Sequence, residues 1–443
     1  MVGNAAVDVV RESARAGRLV MWEESARDGA QAKTLMSAEF RVRLAREQGR
    51  IFGGHGPRHV VFAAGFPAVC AEEYEAVRRV AVEAEGAVSV AAVCRGTADD
   101  LRRAVTAVRG TAHARVMVVV PASEAMAQVM VHRGAREALD EGVALVKRAR
   151  DLDEAVAVDV CLADAARADH GLASAAAEEL TAAGAGTVLL ADTVGGQLPT
   201  ETAAMFAEVR ARTGPEVVLG AHLHNDLGLG LANTLEAVRA GVRVVAGSWL
   251  GLAERSGMAA TEQLLFLLAH DPGRIARLIG AAVDGDRESG PGSRRDGDPG
   301  GGGLWWTEPD LTRLPVIARM VSAQTELPLT VTTPIVGTGV GTISTGTPFV
   351  HPELFQPFDP QARLGIAPTV VLTHLASARV VTAVAARLGR DLDAGQARTA
   401  MGWVKTQAYR TGRAVVDEQA FAAYLDGLTA VIAAPNSAAR GTR

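Results

Sequence analysis

Between residues 19 and 271 the chain alternates two kinds of apolar pattern. Valine-rich, nearly continuous apolar runs occur at 19–25 (LVMWEES), 59–66 (HVVFAAGF), 88–95, 114–121, 155–163, 187–194, 216–226 and 243–251. Strands of a parallel sheet read this way because helices bury both of their faces. Each run is followed by a stretch with apolar residues three and four apart, as in EEYEAVRRVAVEA (72–84) and TADDLRRAVTAVRG (97–110). That spacing places one buried stripe on a helix. Eight such β/α units predict a TIM (β/α)8 barrel. A doubly wound open sheet is the alternative, and the count of eight and the lack of GxGxxG after the first run disfavour it.

The pattern breaks at DGDRESGPGSRRDGDPGGGG, residues 284–303. Gly, Pro, Asp and Arg with almost nothing apolar predict a flexible linker. The expected organisation is a barrel domain over 1–283, the linker over 284–303, and a helical C-terminal region over 304–443. The last region holds a helical pattern at 308–324, a Gly/Thr-rich stretch at 331–347 and three helical patterns from 367 to about 433.

Composition narrows the function classes. Hydrophobic residues make up 48%, charged residues 21%, and the net charge is −5. That balance gives no reason to expect a nucleic-acid partner. The three cysteines (70, 94 and 161) form no CxxC pair, so they read as small buried hydrophobes in a reducing compartment. No signal peptide or membrane-length apolar run is seen. A soluble, cytoplasmic protein is expected.

Chemistry enters at GAHLHNDLGLGLANT, residues 220–234. Positions i and i+2 of a strand share a face, so His222 and His224 project together near the C-terminal end of the seventh strand, where TIM barrels carry their active sites. They are either half of a metal site or hydrogen-bonded core histidines. WEESARDGAQ (22–31) ends the first strand, which only the eighth separates from the seventh in a closed barrel. Asp28 can therefore meet both histidines. One carboxylate with two imidazoles suits a Lewis-acid divalent cation. Thr193, in LADTVGG (190–196), is expected at the same mouth.

Together these stretches resemble the DRE-TIM metallolyase superfamily, in its Claisen-condensing branch of 2-isopropylmalate, homocitrate and Re-type citrate synthases. The motifs that carry the resemblance are RDGAQ (27–31), GFPAV (65–69), DTVG (192–195), HLHND (222–226) and AERSG (253–257). TTPIVG (332–337) and TGTPFVHPELFQPFDP (345–360) match more loosely, closer to Re-citrate synthase and to phosphonomethylmalate and phosphinomethylmalate synthases. The resemblance implies Asp28, His222 and His224 as ligands of a divalent cation (Mg, Mn, Co or Zn). It implies Arg27 as the group that stabilises a developing alkoxide, and Gln31 and Thr193 as substrate contacts. His351, from a C-terminal region that a partner subunit often supplies, is implied as the acid/base. The reaction that the resemblance implies removes a methyl proton from acetyl-CoA, adds the enolate to the ketone of a 2-oxo acid, and hydrolyses the thioester with water. The implied protein is a homodimer with small-molecule substrates.

Three positions depart from the family pattern. Met258 stands where an asparagine often completes the metal shell, Ala63 where a glutamate precedes the GFP stretch, and Asp159 where homocitrate synthases place an arginine for the distal carboxylate of 2-oxoglutarate. Arg95 and Arg167 are the substitutes for holding a distal anion. The chain also ends too soon for the regulatory domain of 2-isopropylmalate synthases. These features point to oxaloacetate or a phosphono- or phosphinopyruvate analogue as the oxo acid, with homocitrate or 2-isopropylmalate synthesis as the alternatives. A C–C lyase like hydroxymethylglutaryl-CoA lyase needs a cysteine in the loop after strand eight, and SWLGLAERSGM (248–258) has none. A carboxyltransferase needs a barrel-strand lysine, and Lys33, Lys147 and Lys405 lie on none. A catalytically dead binding barrel is the remaining rival.

Overall fold

All eight apolar runs are strands of one closed parallel barrel, in a computed structural model that describes residues 7–32, 34–279 and 303–433. They are β1 (Val20–Glu23), β2 (Val60–Gly65), β3 (Ser89–Arg95), β4 (Arg115–Pro121), β5 (Ala157–Ala163), β6 (Val188–Asp192), β7 (Leu219–Leu223) and β8 (Val244–Gly247). Each strand pairs with the next, and β8 returns to β1 in the register Val20↔Val244 to Glu23↔Gly247. The interior is filled by small and medium side chains, among them Val20, Trp22, Ala63, Val93, Met117, Cys161, Ala191 and Ala246.

A short helix, Val9–Arg15, precedes β1 and joins Val9, Val10 and Ala14 to that interior cluster. Asp8 caps it, accepting from the amides of Val10 and Arg11 at 3.1 Å. The helix thereby closes the N-terminal end of the barrel. Beneath it lies a buried ion-pair network. Arg115, the first residue of β4, donates to Asp159 through Nε (2.8 Å) and Nη2 (2.7 Å), and also reaches Asp8. Thr187 donates a further bond to Asp159 at 2.6 Å.

This placement corrects one expectation. Asp159 is not at the mouth, because β5 runs on for four residues beyond it. The inward positions nearer the mouth on this strand are Cys161 and, two residues on, Ala163. Asp159 neutralises Arg115 at the opposite end and cannot repel a substrate.

The described residues divide into two compact units, one up to Pro328 and one from Leu329 onward. Residues 304–328 therefore belong with the barrel rather than with the helical region expected from residue 304. The reason is packing. Leu19 donates to the carbonyl of Leu304 (2.7 Å), Trp306 N donates to His59 Nε2 (2.9 Å), and the helix Leu314–Thr325 buries Leu314, Ile317, Ala318 and Val321. Of the expected linker, residues 284–302 lie outside the described residues. The second unit has helices Ala378–Arg387, Ala394–Thr411 and Glu418–Ala433 around Val380, Val384, Val404 and Phe421. It also has a two-stranded parallel ladder, Thr342–Ile343 with Thr369–Val370. No helix among the described residues is long and apolar enough to cross a membrane.

Candidate metal centre at the barrel mouth

Past the end of β1 the chain folds back on itself. The amides of Arg27, Asp28 and Gly29 all converge on the carbonyl of Glu24 (3.0, 2.8 and 3.1 Å). This tight turn aims the side chains of Arg27 and Asp28 at the axis of the barrel. On the far side of β8, the end of β7 is held by backbone bonds from both flanks. His224 N donates to Asp192 O (3.2 Å), and Asn225 N donates to Gly257 O (2.8 Å). Gly257 has φ +85°, and a Cβ there would collide with the carbonyl of Gly251. The AERSG turn thus depends on glycine at this position. The same turn presents the amide of Glu254 to Asp28 Oδ1 at 2.9 Å.

The result is a buried triad. His222 Nε2 and His224 Nε2 are 3.3 Å apart, and Asp28 Oδ2 lies 3.6 Å from the first and 3.9 Å from the second. Among the described residues this is the one group of three or more His, Cys, Asp or Glu side chains close enough to hold an ion. Arg27 Nη1 is 2.6 Å from Asp28 Oδ2 and 3.7 Å from Glu24 Oε2. Burial works against a charge on Asp28, yet the His222 bond and the Arg27 guanidinium hold its carboxyl well below the usual carboxylate range. Burial, reinforced by His222, pulls the His224 imidazole down to about 4. Asp28 is therefore anionic and His224 neutral near pH 7, the protonation states that metal ligation requires.

The arrangement fits a divalent cation on two further counts. Ligand atoms about 2.1 Å from one ion stand roughly 3–3.5 Å apart, close to the observed triangle. The donor set is also of the right kind, since one carboxylate oxygen and two imidazole nitrogens are ligand types that divalent cations take.

The family model described as HMGL-like matches residues 18–280. The chain belongs to the HMGL-like family. It is 33% identical over 250 residues to a 2-isopropylmalate synthase of Nitrosospira multiformis, covering 56% of this chain and 47% of that one. It is 30% identical over 323 residues to that of Nitrobacter winogradskyi, covering 72% and 55%. The chain thus spans about half the length of the curated relatives it matches. Among solved structures, an HMG-CoA lyase of Brucella melitensis superposes with a TM-score of 0.52 at 18% identity, covering 70% of this chain and 99% of that one. That likeness concerns the fold.

Within this HMGL-like barrel the other expected site residues fall in different places. Gln31 is exposed, in the 3-10 turn Gly29–Ala32 that follows Asp28. Thr193 is at the rim after β6, and its hydroxyl accepts from the amide of Asp164 (2.8 Å). Arg95 ends β3 and pairs with Asp100 through Nε at 2.6 Å. Arg167 lies in the turn after β5 and pairs with Asp164 at 2.7 Å. Neither arginine stands without a carboxylate. His351 belongs to the second unit, exposed, with Nδ1 3.3 Å from Glu353. Ala63 lies in the barrel interior, and buried Met258 is backbone-bridged to His224, so the position expected of an asparagine is beside the triad with a thioether in it.

Sequence reasoning missed two residues here. Arg255 forks onto Asp226 (2.9 and 3.1 Å) and donates to the carbonyl of Thr193 (2.6 Å), tying three mouth loops together. Glu24 is fully buried beside Arg27 and His222, and burial pushes its carboxyl up against the opposing pull of Arg27. The period-2 rule puts it in line with Val20 and Trp22, and that signal was available in WEES.

Proposed function

We propose that this chain is a divalent-metal-dependent condensing enzyme that joins acetyl-CoA to a 2-oxo acid, releasing CoA and a tertiary 2-hydroxy acid. The buried Asp28–His222–His224 triad with Arg27 against it is the observation that carries this reading, and the synthase relatives support it. A divalent cation bound there supplies Lewis-acid polarisation of the oxo group. Asp28 and the neutral His224 receive it without releasing a proton. Arg27 keeps its guanidinium beside the triad, where it stabilises the charge that grows on the ketone oxygen during attack. Gln31 and Thr193 contact the substrate from the rim. His351 is the proposed acid/base, in the subunit that completes the site of a homodimer.

The lyase alternative is disfavoured by residues on this chain. The 248–258 turn holds no cysteine. Buried Cys161, in the barrel interior, has its thiol pushed up to about 12, so it is no nucleophile near neutrality.

For the oxo acid we propose an anionic distal group, as in oxaloacetate or phosphonopyruvate. With Asp159 at the far end of the barrel, Arg95 carries this finer reading. It occupies an inward position at the mouth end of β3, two residues beyond Val93, and its side chain is 64% exposed. Its Nε and Nη2 serve Asp100, and a guanidinium has donors beyond those two for a second anion.

The test is free-thiol release from acetyl-CoA with a panel of oxaloacetate, phosphonopyruvate, 2-oxoglutarate and 2-oxoisovalerate. Activity lost on chelation and restored by metal is expected, with a four-carbon diacid or its phosphorus analogue preferred. No turnover of any oxo acid would overturn the enzyme class. A tenfold preference for 2-oxoglutarate or 2-oxoisovalerate would overturn the distal-anion reading alone.

A further inference from the structure

Glu24 stands out among the buried groups of the barrel mouth because both of its carboxylate oxygens lack a hydrogen-bond partner. Its side chain has no exposed surface. His222 Nδ1 is likewise buried and unpartnered. These orphaned groups face each other, with Oε1 3.6 Å from Nδ1, while Oε2 faces Arg27 at 3.7 Å. A buried carboxylate without donors is strongly disfavoured, and the donors that face it are these two and the indole of Trp22, whose Nε1 is also buried and unpartnered.

His222 therefore has two distinct edges. Nε2 faces Asp28 and His224, and Nδ1 faces Glu24. A carboxylate on one ring nitrogen holds the proton there and leaves a lone pair on the other, which orients the ring and makes that lone pair a better ligand. Having no accessible surface, Glu24 acts through its neighbours, and His222 is the one among them that belongs to the triad.

We infer that Glu24 is a positioning residue for the metal centre: it fixes His222 as the Nδ1–H tautomer so that Nε2 is presented to a divalent cation. The inference rests on the metal-dependent reading above and adds a residue to it.

The experiment uses the full chain with Mn2+ or Co2+ as probe, comparing wild type with Glu24→Gln and Glu24→Leu. Glutamine keeps an acceptor for Nδ1–H but not the charge, and leucine removes both. Metal affinity by competition with a chromophoric chelator should weaken about 10-fold in Glu24→Gln and about 100-fold in Glu24→Leu, the range found for such supporting carboxylates. The Co2+ absorption spectrum should change, and 15N spectra of histidine-labelled protein should show loss of the Nδ1–H tautomer at His222 in Glu24→Leu. Metal-free Glu24→Leu should melt no lower than wild type, since it loses a buried charge with no ideal partner. Metal affinity within twofold of wild type in both variants overturns the inference, as does an unchanged His222 tautomer. A wild type that binds neither cation overturns the metal-centre reading itself, a result told apart by needing no variant.

Discussion

Replacing Asp159 with asparagine separates a structural role from a substrate-selecting one. The wild-type carboxylate is fully buried and accepts two bonds from Arg115, itself 2% exposed, and one from Thr187. Breaking a buried ion pair costs about 3–5 kcal/mol when the surviving charge is stranded. Arg115 is not wholly stranded, because Asp8 remains on its other edge, and an asparagine oxygen still accepts from Thr187. The expected loss is therefore about 2–3 kcal/mol, below the range for a stranded charge. At roughly 2 °C per kcal/mol for a unit of this size, the midpoint falls about 4–6 °C. Thermal and urea unfolding read the stability, and the ratio of specificity constants for oxaloacetate and 2-oxoglutarate reads the selectivity. That ratio should stay within twofold of wild type. Unchanged stability together with a tenfold swing toward 2-oxoglutarate would refute the placement of Asp159 away from the substrate.

Three further outcomes are expected. Asp28→Ala and His222→Ala should each lose bound divalent metal and nearly all condensing activity while keeping wild-type circular dichroism, checked by elemental analysis after dialysis. Gly257→Ala should lower both metal affinity and melting temperature, because φ +85° and the carbonyl of Gly251 leave no room for a Cβ and the Glu254 amide would move off Asp28; an unperturbed variant would show that the turn is not fixed by this glycine. Burial pulls the His59 imidazole down to about 4, against the bond to the carbonyl of Leu19. The unfolded chain takes up that proton near pH 6.5, so stability should fall as pH drops below about 6.5, with the loss complete near pH 4. Between pH 7.5 and 5 this residue accounts for about 2 kcal/mol, and urea titrations of His59→Asn should show a pH slope smaller by that amount.

The barrel was legible because strands buried on both faces must be apolar throughout, and eight such runs alternated with amphipathic stretches. The triad was legible because period-2 spacing puts His222 and His224 on one face, and closure brings β1 within one strand of β7. Depth along a strand was not. Asp159 and Cys161 share the inward face of β5, and only the strand's true end tells which stands near the mouth. Partnering was equally hidden. Arg95 and Arg167 look like spare cations in sequence, but Asp100 and Asp164, five and three residues away, pair with them. The boundary at Pro328 escaped because the apolar stripe of Leu314–Thr325 reads the same whether it packs on the barrel or on the later helices.

A closed barrel has a single seam, the pairing of its first strand with its last. Asp28 follows β1 and the two histidines sit at the end of β7, so their shared site straddles the β1–β8 junction. An ion held by all three would act as a rivet across that junction, because only the shut form brings its ligands together. At a hundredfold excess over its dissociation constant it would deepen the closed state by about 2.7 kcal/mol. Metal supply would then set how long the seam stays shut as well as how fast the site turns over. Amides flanking β1 and β8 should exchange more slowly with solvent deuterium in loaded protein than in stripped protein, and those in the middle of β4 and β5 should be the least affected.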